Sequence, residues 1–328
     1  MKTSSLGSRV LRFVKDWTLA VAIFGGMAIY LIFATIPLLE PAAAVCGPVL
    51  ETIFPLFMIA ILFVVFCKVD FRQLRLVAWH GWVSLFQLIF VALLVGITLL
   101  IRPVGDMLVV AEAVLCCVIA PCAAAAPVVT GKLGGHLEQM TSYVFLSNFV
   151  AAVMIPAAFP MIDPSADIPF LASFLQILRS VSIVLLLPMA LAFIVKHYMH
   201  GLHRWIVSIK DLSFYTWALS LSIVSGVTLK SIFHSAAPVA LIAVMAFLGL
   251  LMCIVQYSVG RFVGHYFGRV TESGQGLGQK NTAFAVWVAL TYLNPLATVG
   301  PGCYILWQNI INSVEIHRYS KNSSLQKS

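Results

Sequence analysis

The sequence predicts an all-α membrane protein of ten transmembrane helices, arranged as two inverted five-helix repeats with a broken helix in each. Three observations carry this reading. Apolar residues make up 61% of the 328 residues and charged residues only 10%, against roughly 45–50% and about 25% in soluble domains. The basic residues gather in alternate loops. Two apolar runs, in matching places of the two halves, are interrupted by proline or glycine.

About 20 apolar residues cross a bilayer. Runs of that order fall at 17–37, 48–67, 80–101, 107–131, 138–160, 169–196, 211–229, 235–264, 273–293 and 297–315. The first follows Lys2, Arg9, Arg12 and Lys15; its length makes it an uncleaved span in preference to a signal peptide. The second ends at Cys67-Lys68-Val69-Asp70, and the third carries Gln87. The fourth contains Pro121 and Pro127, which remove backbone donors and break a helix. The fifth holds Asn148 and the sixth Arg179; a basic connector, His203 to Lys210, leads to the seventh. The eighth carries Gln256 in mid-run. The ninth opens as a polar stretch, RVTESGQGLGQKN, broken by Gly276 and Gly278, and turns apolar from Thr282. Short loops leave no room for a soluble domain.

With the N-terminus inside, sixteen of the 20 Lys and Arg residues fall in cytoplasmic segments and two, Arg102 and Lys230, in outer loops. This is the positive-inside pattern. It places both termini in the cytoplasm, with the chain multi-pass in the cell's inner (plasma) membrane. The third span of each half carries a glutamine (Gln87, Gln256) and the fourth is broken. Five spans per half make the repeats inverted, and paired interrupted helices point to a binding site at the bilayer midplane.

Composition and motifs exclude several classes. The net charge of +8 belongs to the loops of a membrane protein and does not imply nucleic acid. Cys46, Cys67, Cys116, Cys117, Cys122, Cys253 and Cys303 lie almost wholly in apolar runs, as small buried hydrophobes and not a disulfide framework. No zinc-type Cys/His pairing occurs, and neither a metal nor a cofactor is expected. There is no GxxxxGK[ST] loop for ATP and no HExxH or GxSxG for hydrolysis, so the chain reads as no enzyme.

Lys280 stands out, at the seam of the ninth span between Gln279 and Asn281. An ammonium near a bilayer centre costs about 2.5–3.5 kcal/mol and is functional by default. The other reading is a tie to the carbonyls of a broken helix. Asn281 and Thr282 read as site residues or as the N-cap of the following half-helix. Gln87, Gln256 and Asn148 line a cavity or bond between helices. Glu112 is a proton relay or lies near the outer interface.

The chain resembles the bile acid:sodium symporter family. FMIAILFVVFCKVDFRQLR, Trp82 to Val95 with Gln87, and Cys116 to Pro121 are similar to its second, third and fourth spans. GLGQKNTAFAVWVALTYLNPLATVGPGCYILWQNI looks like its second broken helix and final span. The resemblance implies one transmembrane transporter domain over 1–328. It has a core (80–160 and 235–315), in which the broken helices cross, and a panel (17–67 and 169–229). Organic anions bind between the two.

Where the family's first break carries Ser and Asn as sodium ligands, this chain has Ala126 and Pro127. Where the second carries Glu and Gln, it has Gly276 and Lys280; a frame shifted by one would place Gln275 and Gln279 there. Sodium prefers hard oxygen ligands including a negative charge, as other hard cations do. The expectation is therefore a monomeric secondary transporter of small organic anions, bile-acid-like or carboxylate, not coupled to sodium. Lys280 would act as a proton carrier or as counter-ion to the substrate. An ordinary sodium symporter with other ligands, or a non-concentrative channel or ligand sensor, are the alternatives.

Overall fold

A computed structural model describes residues 18–70, 72, 74–162, 169–209, 212–234 and 237–325. The basic run Lys2 to Lys15, Trp17, Lys210 and Lys327 lie outside the described residues. All regular structure among those described is helical. In chain order the helices are α1 (Thr18–Thr35), α2 (Glu40–Cys67), α3 (Ala78–Ile101), α4 (Asp106–Ile119), α5 (Ala126–Lys132), α6 (Leu137–Ile162) and α7 (Phe170–Leu185). They continue with α8 (Leu187–Tyr198), α9 (His200–Ser208), α10 (Leu212–His234), α11 (Val239–Tyr266), α12 (Val270–Gly278), α13 (Thr282–Tyr292) and α14 (Val299–Leu325).

Proline sets many of the limits. Pro169 and Pro238 precede α7 and α11 in extended backbone, and Pro41 stands in the first turn of α2. That start makes α2 eight residues longer than the run expected from 48, with Pro48 inside it. The run 169–196 is two helices parted at Leu186, with Pro188 opening the second, because proline fits a first turn and not an interior. The segment His200–Ser208, expected as part of a connector, is a helix of its own. The last helix runs ten residues past 315.

Among the described residues, four helical stretches are long and apolar enough to cross a membrane: Ala78–Ile101, Leu137–Ile162, Phe170–Tyr198 (α7 and α8 together) and Val239–Tyr266. The first and last are the most apolar, yet only 22% and 28% of their apolar stretches are buried. Apolar helices turned outward in this way face lipid. Packing joins α1 to α10 and α2 to α8; α11 packs on α12 and α14, and α4 on α3, α11, α13 and α14. At the first of these contacts Gly26 lies against the Ser222 backbone, and a Cβ on Gly226 would stand 3.1 Å from the Gly26 carbonyl. Small residues let membrane helices approach this closely.

Candidate functional site

Two breaks in the helices meet inside the bundle. The first follows from Pro121, which disfavours helical backbone at the preceding residue; Ala120 sits at φ −56°, ψ 145°. The chain passes through Cys122 and becomes helical again at Ala126, with Pro127 in the first turn of α5. Pro127 thus starts a half-helix instead of breaking one, at a position where its missing N–H costs little. The second break spans Gln279 to Asn281. Gln279 is extended at φ −88°, ψ 96°. Asn281 caps α13, its side-chain oxygen accepting from Phe284 N at 3.2 Å, as an N-cap asparagine does.

Gly276 and Gly278 lie ahead of this break, inside α12, so they differ from the expected interruption. Close packing accounts for them. A Cβ on Gly276 would stand 3.0 Å from the Tyr143 ring and 3.2 Å from Trp79, and one on Gly278 would overlap the Tyr257 ring.

The breaks are stitched to each other. Ala123 N donates to Gln279 O and Asn281 N to Pro121 O, both at 2.8 Å, which makes Cys122 and Lys280 an antiparallel bridge pair. A neighbouring helix holds the outer side of each. Cys122 N donates to Ser147 Oγ at 2.7 Å. Lys280 N donates to Gln308 Oε1 at 2.9 Å, and Gln308 Nε2 donates to Lys280 O at 3.3 Å. Non-helical backbone buried inside a bundle requires such partners.

Gln87 and Gln256 serve the same need and do not line the cleft described below. Gln87 Nε2 lies 3.0–3.3 Å from the carbonyls of Val118, Ile119 and Ala120, the orphan acceptors at the end of α4. Gln256 Nε2 donates to Cys117 O and to the Tyr304 hydroxyl, each at 3.1 Å. That hydroxyl donates to Gly278 O at 2.7 Å.

Lys280 is 1% exposed and among the largest fully buried side chains. Its Nζ has no hydrogen-bond partner among the described residues, although it lines a cleft of about 290 Å³. One wall of the cleft is α2, through Met58, Leu62 and Phe66, with Ser220 of α10; the other is the two breaks with Thr141, Val144 and Gln308. Asn281 and Thr282 line it beside Lys280. Its rim carries Lys68, Asp70 and Glu138. Asp70 pairs with Lys196 at 3.1 Å. The hydrogen bond from Lys196, and then that from the Arg72 backbone, hold its carboxyl below the usual range.

The cleft therefore brings together Lys280, Asn281 and Thr282, with Pro127 of the first break, and leaves the other polar candidates out. Gln279 and Asn148 are fully buried, their side chains without partners among the described residues, but neither lines the cleft. Glu112 is buried, with Oε2 accepting from Asn294 N at 3.1 Å, so it closes the turn after α13. Arg179 is exposed on α7. Gln275 lies outside the cleft lining: its Nε2 donates to Asn312 Oδ1 at 2.9 Å and Glu315 Oε2 at 2.8 Å, Arg261 pairs with the same carboxylate, and Gln275 Oε1 is buried without a partner among the described residues. Gln308, Ser147 and Tyr304 were not anticipated. Their only signal is a polar atom in an apolar run, as in Trp307-Gln308-Asn309.

A family model described as the sodium bile acid symporter family matches residues 55–262. The match runs from α2 into α11, takes in the first break, and ends before α12 and Lys280. No curated protein matches the chain.

Proposed function

The chain belongs to the sodium bile acid symporter family, and from that premise we infer a secondary-active transporter of small organic anions that works by alternating access without sodium. The coarser part follows from the family: an integral membrane transporter with organic anions as substrates. The finer part is our reading. Ten spans form two inverted repeats. A core holds the crossed breaks, and it moves against a panel that contains α1, α2, α7, α8 and α10. The cleft between Lys280 and α2 is the substrate site, and the termini lie in the cytoplasm.

One observation supports the loss of sodium coupling: a buried lysine, with no partner for its Nζ among the described residues, stands at the crossing and lines the cleft. A sodium ion about 4 Å from an ammonium is repelled by about 4 kcal/mol at an effective dielectric of about 20. That lowers its occupancy roughly a thousandfold. A substrate carboxylate in the same place is attracted. Ala126, Pro127 and Gly276 add no side-chain oxygen to offset the repulsion; Gln275 gives its amide nitrogen to Asn312 and Glu315, and its Oε1, buried without a partner among the described residues, is outside the cleft lining. Lys280 is the counter-ion that the anion meets, with Asn281 and Thr282 beside it.

The test is uptake of taurocholate and a panel of keto acids into proteoliposomes, with choline replacing sodium inside and out. Uptake independent of sodium is the expected result. Uptake that disappears in choline would return the protein to the ordinary symporter reading.

A further inference from the structure

The loop that leaves α2 is a wall between two cavities. Lys68, Val69 and Asp70 line the cleft described above, and they also line a second cavity of about 480 Å³. This one lies between that loop and the α8–α9 corner. Among the described residues, three cations line it, Lys68, Arg72 and Lys196, against a single carboxylate, Asp70. Three imidazoles complete the polar lining: His197, His200 and His203. Asp70 is taken by Lys196 and accepts from Arg72 N at 3.2 Å. His203 is fixed on Cys67 O at 2.8 Å. The cavity is therefore built, and it carries an excess of positive charge.

The helix beside it is interfacial in character. Ile206 anchors α9 at 4% exposure, while Trp205 is 62% and the preceding Tyr198 76% exposed, with Leu202 also outward. Basic groups on one side of a short helix and exposed aromatic and aliphatic groups on the other suit the plane between headgroups and acyl chains. Basic pockets between membrane helices bind anionic lipid headgroups.

We propose that this second cavity binds a phosphate group carried by an anionic phospholipid, whose acyl chains lie along the exposed apolar face of α8 and α9. Arg72 and His200 are its donors, with Lys196 adding charge beside them; His197 and His203 hold the carbonyls of Phe193 and Cys67. The same chemistry would accept a soluble phosphate ester, so the source has to be tested. The site does not depend on what the cleft transports.

Native mass spectrometry of the purified full-length protein would measure retention of phosphatidylglycerol and phosphatidylcholine. Glycerol 3-phosphate, as the soluble arm, would be measured in competition. The variants are Arg72→Gln and His200→Gln, with Arg179→Gln as an exposed cation outside the cavity. Phosphatidylglycerol is expected to bind more tightly than phosphatidylcholine. Arg72→Gln should weaken it about fivefold, the effect of one cation near an anionic headgroup, and Arg179→Gln should not. Equal retention of both lipids, or of phosphatidylglycerol by wild type and Arg72→Gln, would overturn the site. Glycerol 3-phosphate that binds in an Arg72-dependent way while phosphatidylglycerol does not would overturn the lipid as its source. An unfolding midpoint in phosphatidylcholine shared by wild type and variants keeps a folding defect from passing as lost affinity.

Discussion

Lys280→Met separates a functional ammonium from a structural one by the sign of its effect. Methionine keeps most of the stem's volume and is flexible enough to fill its place; only the charged end is lost. An ammonium buried near a bilayer centre costs about 2.5–3.5 kcal/mol, and no hydrogen bond at Nζ from the described residues offsets that cost. The backbone bonds of Lys280 to Gln308 do not depend on the side chain. The variant should therefore be more stable, by up to about 3 kcal/mol. A lysine that tied the half-helices together would behave oppositely, since removing one partner of a buried charged pair costs about 3–5 kcal/mol. A thiol-reactive dye reads the unfolding midpoint well here, because Cys67, Cys116, Cys117, Cys122 and Cys253 are all buried. Taurocholate added to the same samples measures the second half of the argument. A charge-assisted hydrogen bond contributes about 1.5–3 kcal/mol, so the variant should lose about tenfold to a hundredfold in affinity. A midpoint below wild type, or an unchanged taurocholate-induced shift, would refute the reasoning.

Gln308→Leu leaves the Lys280 N–H and carbonyl without their side-chain partner. The loss should be about 1–3 kcal/mol, read as a lower unfolding midpoint. Asn281→Ala removes a cap and should cost about 1 kcal/mol. Asn281→Ser should restore the midpoint, and uptake that stays low in the serine variant would give the amide a role in the cleft beyond capping. Gly278→Ala gains the usual helix preference of alanine but drives a methyl into the fully buried Tyr257 ring. Overpacking of about 1–3 kcal/mol should win, and a midpoint at or above wild type would show that the ring can yield.

Proline and charge were legible in the sequence, and hydrogen-bond partners were not. Pro121 ends α4 where the chain rules require, and the oddity of a lysine at the ninth span was visible without coordinates. Pro127 and Gly276 misled because a breaker is also a good starter and a good contact residue: one opens α5, and the other lets Tyr143 and Trp79 approach. Gln87 and Gln256 were readable as important but not as sealing helix ends, because a glutamine's partners lie on other helices. Gln308 was hidden for the same reason, since nothing in Trp307-Gln308-Asn309 says which residue faces the crossing.

The crossing and the ion chemistry draw on different residues. Backbone pairing and the uncharged groups Ser147, Gln308, Gln87, Gln256 and Tyr304 hold the breaks. None of these positions is one where the family resemblance puts a replaced sodium ligand. The scaffold can therefore persist while coupling changes, yet the change is not undone by restoring one acid. Gly276 is pressed against Tyr143 and Trp79, both fully buried, so a glutamate there meets rings that have no room to retreat. Overpacking costs about 1–3 kcal/mol, before the desolvation of a carboxylate is counted. The double variant Gly276→Glu, Lys280→Gln should unfold at a lower temperature than Lys280→Gln alone and gain no stabilisation from sodium. An upward shift specific to sodium over choline would show instead that the aromatic pair makes way, and that the carboxylate is all this crossing lacks.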